Sequence, residues 1–228
     1  MKKLVLTISM LLLVSFLAPG ASAQEVWKIT SLDWQPYSGS DMASQGNSIQ
    51  KLRDLLQKEG IELKVEFYPW ARAQKLASTA DYVGYFPAWP EEVTEGFTAS
   101  EPVDWSEIGV LTYKGSGLQW SGVDALFGEM VGLVGTYTYP QNITAAAAKN
   151  PANVDKASNE VALLKKLSGK RFRAAITDPA VMLYLASKEG IDNIETLKVL
   201  EKKALVVAFR NGADNKKRME LLKKLLGQ

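Results

Sequence analysis

The segment YFPAWPEEVTEGF, from Tyr85 to Phe97, brings together aromatic and acidic side chains whose chemistry suits the wall of a binding pocket. Aromatic rings stack on ligands and attract cations through their π faces, and carboxylates accept hydrogen bonds. Tyr85, Trp89 and Glu91 carry these groups. The alternative interpretation is a core strand that ends in an irregular loop, and the elements on either side must decide between the two.

The composition excludes several kinds of active site. The sequence contains no histidine and no cysteine, so Ser-His-Asp and Cys-His mechanisms are ruled out. Zinc sites rely on the same two residue types, and we therefore expect neither a metal nor a cofactor. Because disulfides are impossible, the fold must depend on an ordinary hydrophobic core.

The N-terminal 23 residues have the pattern of a secretory signal peptide. Two lysines precede an apolar run from Leu4 to Leu17, and Pro19-Gly20 and Ala21-Ser22-Ala23 follow it. This order predicts cleavage before Gln24 and a periplasmic location. The apolar run is shorter than the roughly 20 residues that span a bilayer, so a membrane anchor is the weaker interpretation.

The charges of the chain are balanced. There are 27 lysines and arginines against 25 acids, and Lys2 and Lys3 fall in the predicted signal peptide. Nucleic-acid binding needs a concentrated basic stripe, so we expect no nucleic-acid partner. The lysines near the C terminus are interpreted as the solvated face of a helix.

Strand-like and helix-like patterns alternate from Val26 to the C terminus. Runs such as VWKITSL and MVGLVG are typical of strands, whereas SIQKLRDLLQKEG has apolar residues at helical spacing. Repeated βα units predict a mainly parallel sheet with helices on both faces. The stretch KGSGLQWSG, residues 114–122, separates two such blocks and is the candidate hinge or linker. The predicted fold class is therefore α/β with two small lobes.

The order of motifs along the chain resembles the bacterial extracellular solute-binding proteins of family 3, which are periplasmic receptors of polar amino-acid ABC importers. The motifs are SLDWQPYSG, VEFYPWARAQKL, ADYVGYFPAWPEEVTEGFTASEPV, GLVGTYTYP and RFRAAITDPAVMLYL. The resemblance implies a type II periplasmic binding protein-like fold with a ligand cleft between lobes. Lobe 1 would comprise residues 24–112 plus 205–228, and lobe 2 residues 113–204. It further implies a monomer that delivers a small polar solute to an ABC permease in the inner membrane.

Candidate ligand contacts follow the first two strands, since ligands of open α/β sheets bind outside the carboxyl ends of strands. Trp34 and Tyr37 lie in the loop DWQPY, and Trp70 and Arg72 lie in PWARA. Trp34 is either a pocket residue or a core aromatic. Arg72 either pairs with a ligand carboxylate or covers the helix surface.

The resemblance adds candidates at two later strand ends. In GTYTYP, the amides of Gly135, Thr136 and Tyr137 would receive an anionic group at a helix start; the alternative is a cap from Thr138 with Pro140 in the first turn. Asp178 stands where the family places the acid that holds a ligand amine, and Asp-Pro before a helix is also an N-cap signature.

The chain departs from the family at Glu91. The resemblance implies an arginine here that clamps the α-carboxylate of the ligand, and counting back from Phe97 puts Glu91 at that position. A glutamate repels a carboxylate, so we expect a ligand other than a standard α-amino acid. Aromatic walls with acids suit a cationic or polyhydroxylated solute.

Two further functions remain open beside that of an importer's receptor. One is a standalone sensory or accessory binding protein. The other is a lyase or hydrolase on the same scaffold, with Glu91 and Asp178 as acid and base. We expect a binding protein rather than an enzyme.

Overall fold

The structure is a computed structural model that describes residues 24–227. The predicted signal peptide and its cleavage site before Gln24 concern residues 1–23, which lie outside the described residues. Between residues 24 and 227, no helix has the length and apolar character needed to cross a membrane.

The first part of the chain forms alternating strands and helices. These are β1 (Val26–Ser31), α1 (Asn47–Gln57), β2 (Glu62–Phe67), α2 (Trp70–Ala77) and β3 (Gly84–Ala88). Strand β1 lies between β2 and β3 and is parallel to both. Helix α1 buries Ile49, Leu52 and Leu56 along one side, as the helical spacing of these residues predicts.

The remaining elements continue the same alternation. They are β4 (Phe97–Ala99), β5 (Asp104–Tyr113), α3 (Val123–Leu126), β6 (Val131–Val134), α4 (Gln141–Lys149), β7 (Val154–Ala157), α5 (Glu160–Ser168), β8 (Ala174–Thr177), α6 (Pro179–Lys188), β9 (Ile194–Arg210) and α7 (Ala213–Leu225). The strands follow the order β2-β1-β3-β9-β5-β8-β6-β7, and β4 also pairs with β9. The α/β class predicted from the sequence is confirmed.

Two long antiparallel strands, β5 and β9, join the two halves of the sheet. The C-terminal end of β9 pairs with β3, while its remaining residues pair with β5, and β5 in turn pairs with β8. The β5–β9 register shifts between Ile108 and Gly109 and again between Val110 and Leu111, and such irregularities bend a strand. The halves are thus connected through these strands, and residues 114–122 follow the end of β5. The lobe limits 24–112, 113–204 and 205–228 stay a prediction.

The sheet packs closely where β3 meets β9. The ring centroids of Trp27 and Phe209 lie 5.6 Å apart in an edge-to-face arrangement, and both side chains are buried. Gly84 lies so near β9 that a Cβ atom built on it would be 1.9 Å from the carbonyl oxygen of Ala208. This close approach places β3, and the start of the loop that follows it, directly against β9.

Candidate functional site

A small cavity lies where loops after the strands of both halves meet. Its volume is about 10 Å³, and its walls are Leu32, Trp34, Trp70, Pro87, Trp89, Glu92 and Tyr137. A wider groove of about 360 Å³ shares Leu32, Trp70 and Tyr137 with it and adds Asp33, Tyr68, Thr136 and Glu160 among its lining residues. The inner cavity and the outer groove are therefore neighbours, and Tyr137 is one of the residues in the walls of both.

Glu92 is the acid of the inner cavity. It ends a short 3-10 turn, Pro90–Glu92, and only 6 % of its surface is exposed. Its Oε1 accepts a hydrogen bond of 2.9 Å from the Trp70 indole, and its Oε2 accepts one of 3.2 Å from the Trp89 amide. Burial raises the pKa of the Glu92 carboxyl to about 7, although these donors and the nearby Thr138 amide act in the opposite direction.

Glu91, the sequence-predicted ligand contact, faces a different partner. Its Oε1 lies 2.6 Å from the Nζ of Lys203, a β9 residue whose side chain is 4 % exposed. In a 3-10 helix successive side chains are about a third of a turn apart, so neighbouring residues point in different directions. Glu92 therefore reaches the cavity while Glu91 pairs with Lys203, and Glu91 is not among the residues that line the cleft.

This ion pair gives a test that separates the two glutamates. The substitution Glu91→Gln should destabilise the protein by about 2 kcal/mol, because the buried Lys203 ammonium loses its shorter carboxylate contact and keeps only Glu201 at 3.2 Å. Urea denaturation measures this loss, and Glu95→Gln, an exposed residue of the same loop, is the matched control. Unchanged stability together with lost ligand binding would instead make Glu91 a ligand contact.

Glu160 is the buried acid of the outer groove. It begins helix α5, after the N-cap residue Asn159, and is 6 % exposed. The Tyr137 hydroxyl donates a hydrogen bond to its Oε1. Burial raises the pKa of the Glu160 carboxyl to about 7, the nearby Trp34 indole opposes this effect, and the Asp178 charge adds to it. Burial of the Tyr137 phenol raises the pKa of that phenol, and the charge of Glu160 adds to the effect.

Asp178 caps helix α6, as its position before Pro179 predicts. Its Oδ1 accepts a hydrogen bond of 3.0 Å from the Val181 amide, which confirms the N-cap, and its Oδ2 accepts one of 3.1 Å from the Glu107 amide on β5. The side chain is fully buried. Burial raises the pKa of this carboxyl to about 6, against the effect of these amides and of the Tyr37 hydroxyl. Its contact with a ligand stays a prediction.

The charged residues that line the inner cavity, the outer groove and one further groove are all acids, whereas Lys156 lines a fourth space of about 530 Å³ that shares Val134 and Tyr137 with the outer groove. Besides the inner cavity and the outer groove, a second groove of about 440 Å³ lies beside Asp33, Asp41 and Glu160. Across residues 24–227, no lysine or arginine lines any of the three spaces. No lysine or arginine in the same range forms a salt bridge with Glu92, Glu160 or Asp178. These three spaces therefore form an acidic site.

The predicted aromatic contacts divide into cavity walls and core. Trp34, Trp70 and Trp89 line the inner cavity, and the ring centroids of Trp34 and Trp89 are 6.0 Å apart. Tyr37 stacks on Trp34 at 4.7 Å, away from the cavity lining. Tyr85 is fully buried and donates to the Glu92 carbonyl oxygen at 2.8 Å. It therefore positions the loop that carries Glu92.

The turn GTYTYP does not start a helix directly, and the ligand contacts predicted for Gly135, Thr136 and Tyr137 stay a prediction. Helix α4 begins at Gln141, six positions after Gly135, with Pro140 as its N-cap residue. The amides of Gly135 and Tyr137 already donate to the carbonyl oxygens of Ala157 and Val134. Glu160 lines the same groove as Thr136 and Tyr137 and would repel an anion there.

The sequence makes Arg72 a candidate ligand contact and shows no pattern of metal ligands. Arg72 is exposed and lies over the ring of Tyr68, with its Cζ 5.2 Å from the ring centroid. It therefore borders the outer groove through Tyr68, and its pairing with a ligand stays a prediction. In the described residues, no cluster of three or more acids has the geometry to hold a metal ion.

Sequence reasoning missed Glu92 and Glu160, the two buried acids among the residues that line the cleft. Glu160 begins an amphipathic helix, where a glutamate is favoured by the helix dipole alone and gives no sign of a second role. Glu92 follows Glu91 directly, and only the direction of the 3-10 turn distinguishes them. The one available signal was Asn159 before Glu160, which places that glutamate at a helix N-terminus beside a strand end.

Comparisons with known proteins support the architecture. No family model matches the chain, and no curated protein matches its sequence. Among solved structures, an ancestral arginine-binding protein bound to arginine has a TM-score of 0.73 at 18% identity, covering 89% of this chain and 91% of that one. A histidine kinase sensor domain with similarity to periplasmic binding proteins has a TM-score of 0.73 at 13% identity, with 90% of each chain covered.

A third solved structure contains a ligand whose charge is opposite to that of arginine. The GluR0 ligand-binding core in complex with L-glutamate has a TM-score of 0.72 at 17% identity, covering 90% of this chain and 94% of that one. One architecture therefore accommodates arginine in one protein and glutamate in another. The likenesses show that this chain has the two-lobe periplasmic binding protein-like fold, and the side chains of its own cleft must indicate the ligand.

Proposed function

We propose that this chain is an exported solute-binding protein that captures a small, positively charged solute between its two lobes. The observation that carries the proposal is the charge of the cleft: Glu92, Glu160, Asp33 and Asp41 line its three spaces without a lysine or arginine from the described residues. A cation supplies the charge that the buried carboxylates lack, and the aromatic walls attract it through cation–π contacts.

The ligand follows from the same residues. An α-amino acid brings a carboxylate, and the resemblance to the family 3 receptors places its arginine clamp where this chain has Glu91. The Glu91 carboxylate is held by Lys203, and the neighbouring Glu92 would repel an acid group. We therefore propose a ligand without a free carboxylate.

The biological setting is proposed from the resemblance and from the fold. Delivery of the solute to an ABC permease in the inner membrane, by a monomer, is the first candidate. A sensory role is the second, and the observation that favours it is the likeness to a histidine kinase sensor domain over 90% of the chain. In both settings the protein binds its solute and does not transform it.

A panel of small ligands tests the charge preference. Methylammonium and 1-aminopentane should raise the thermal midpoint in a dose-dependent manner, whereas glutamate and alanine should not. A ligand at 100 times its Kd adds about 2.7 kcal/mol of stability, which corresponds to several degrees for a chain of this size.

Variants localise the effect to the cleft. Glu92→Gln should reduce the shift caused by cations, while the control variant Glu95→Gln should retain it. A clear shift with glutamate or alanine would contradict the proposed ligand class. A cation shift that Glu92→Gln leaves unchanged would contradict the proposed site.

A further inference from the structure

The acids of the cleft form two separate centres. Glu92 belongs to the inner cavity, whereas Glu160 and Asp33 line the outer groove. Tyr137 lines both spaces and lies between the two centres, and the Glu92 and Glu160 charges both raise the pKa of its phenol. A ligand with one cationic group can neutralise only one of these centres.

The inner cavity fits one kind of cationic group. A volume of about 10 Å³ holds a group the size of a water molecule. A primary ammonium has this size, and a trimethylammonium is too large. Trp34, Trp70 and Trp89 line the space, and the faces of aromatic rings attract small cations.

Glu92 retains capacity to accept hydrogen bonds from such a group. Each of its oxygens receives one N–H, from the Trp70 indole and the Trp89 amide. A carboxylate has about four acceptor positions, so an ammonium can be bound without displacing these donors. The same donors fix the carboxyl in place, which lowers the entropy lost when a ligand binds.

The outer groove has room for the rest of a ligand and a second acid to receive it. Its volume of about 360 Å³ exceeds that of the inner cavity many times. The Tyr137 hydroxyl donates to Oε1 of Glu160, and the Trp34 indole lies near the same carboxyl, but a carboxylate has about four acceptor positions. Asp33 accepts one hydrogen bond, from the Ser40 amide to its Oδ1 at 2.7 Å. Both acids can therefore accept a second cationic group.

From this arrangement we propose that the natural ligand carries two cationic groups joined by a short aliphatic chain, as in an α,ω-diamine, with a primary ammonium at Glu92 and the second cation at Glu160 and Asp33. The inference rests on the proposed function, since it assumes that the cleft binds a cation. It goes further by requiring two charged ends and a primary amine at one of them.

Four probes with the same five-carbon chain test the inference by calorimetry. 1,5-Diaminopentane should bind the wild-type protein at least 10-fold more tightly than 1-aminopentane, which lacks the second cation. Lysine, which adds a carboxylate to the diamine, should bind at least 10-fold more weakly than the diamine. The diamine with trimethylated nitrogens at both ends should lose at least 30-fold, because neither end fits the inner cavity. Diamines of three to six carbons then define the preferred length.

Variants assign the two ends. In Glu160→Gln the diamine should lose most of its advantage over 1-aminopentane, whereas Glu92→Gln should weaken both ligands, and Glu95→Gln should bind both as the wild type does. Proton release on ligand binding can be measured with the wild-type protein alone. At pH 7 the diamine should release more protons than 1-aminopentane, because it requires two ionised carboxylates.

The outcomes separate the inference from the proposed function. Equal affinities for the diamine and 1-aminopentane would overturn the two-centre inference while leaving a cation-binding protein. Binding of the fully trimethylated diamine as tightly as the parent would overturn the assignment of a primary ammonium to the inner cavity. Failure of every amine to bind would overturn the proposed function itself.

Discussion

The ligand-free protein should lose stability as the pH is raised from about 5 to about 8, and its cleft should open over the same range. Burial raises the pKa of Glu92 and Glu160 to about 7 and that of Asp178 to about 6, from ordinary values of 4.5 and 3.8. A carboxyl with a raised pKa stabilises the closed form fully below its ordinary pKa. That contribution disappears as the pH rises through the raised value.

The size of the effect follows from the shifts. For Glu92 the change from 4.5 to about 7 corresponds to roughly 3 kcal/mol between the two ends of this pH range. Glu160 and Asp178 add to it but not independently, because each carboxyl feels the other's charge. Separation of the lobes rehydrates all three groups, so opening is expected before global unfolding.

The groups that face these carboxyls do not reverse the sign. Tyr137 and Tyr139 pack near Glu92 and Glu160, and both phenols are protonated throughout this pH range because burial raises their pKa. Asp104 and Glu107 lie on the Tyr37 side of Asp178 and add further negative charge. The neighbouring groups thus oppose ionisation of the three acids or leave it unaffected.

One acid elsewhere sets the lower limit of the stable range. Hydrogen bonds from Tyr82, Lys28 and Tyr68 lower the pKa of Glu66 to about 2. Its contribution is present above 4.5 and is lost as the pH falls through this lowered value. The stability maximum is therefore expected near pH 5.

Thermal denaturation between pH 4 and pH 9 measures the trend, and small-angle scattering over the same range measures the opening. The variant Glu92→Gln, which imitates the protonated acid, should be more stable than the wild type at pH 8 and should have a flatter profile. Glu95→Gln should follow the wild type. A wild-type midpoint that is higher at pH 8 than at pH 5 would contradict the mechanism.

The substitution Gly84→Ala should cause the largest loss of stability among conservative changes to the sheet. The added methyl would lie 1.9 Å from the Ala208 carbonyl oxygen and 2.9 Å from its carbon. Because these are backbone atoms of β9, no side-chain rotation relieves the overlap, and β3 must separate from its partner. Overpacking in a core costs about 1–3 kcal/mol, and we expect about 3 kcal/mol or more here.

Gly128→Ala is the control for this substitution, since its nearest contact, the Ala125 carbonyl oxygen, would be 3.1 Å away. We expect its midpoint to change by a few degrees at most. Urea denaturation of both variants gives the comparison, and failure of Gly84→Ala to accumulate as folded protein agrees with the expectation. A Gly84→Ala midpoint within two degrees of the wild type would contradict it.

Much of the architecture follows from local patterns that the sequence makes visible. The apolar spacing that buried faces require is present in the first three strands and in the helices α1, α5 and α6. The Asp178 N-cap follows from Asp-Pro before a helix. The short elements α3, β4 and β7 were not predicted. Each has only three or four residues, which is too few for a period to be recognised.

The long strand β9 shows a second reason for failure. Its C-terminal part, around Leu205 to Phe209, is buried and apolar, a pattern that predicts a buried strand. Its N-terminal part is rich in glutamate and lysine and largely exposed, since it crosses between lobes beside β5 alone. Strand preference there comes from pairing with β5, which is a contact between distant parts of the chain.

The candidate site could be predicted only in part. The aromatic walls followed from strand ends, and Trp34, Trp70 and Trp89 do line the inner cavity. The acids could not be chosen, because Glu91 and Glu92 are adjacent and differ only in direction. Lys203, which engages Glu91, is 112 residues away along the chain, and no local pattern relates the two.

The position of β9 in the sheet also determines the order in which this protein can fold. It is the last strand in the chain, yet it lies between β3 and β5 in the middle of the strand order. Neither half of the sheet has its full set of neighbours until residues 194–210 have been synthesised. Such distant pairings are slow to form, so the newly made chain should remain largely unfolded until its last strand is available.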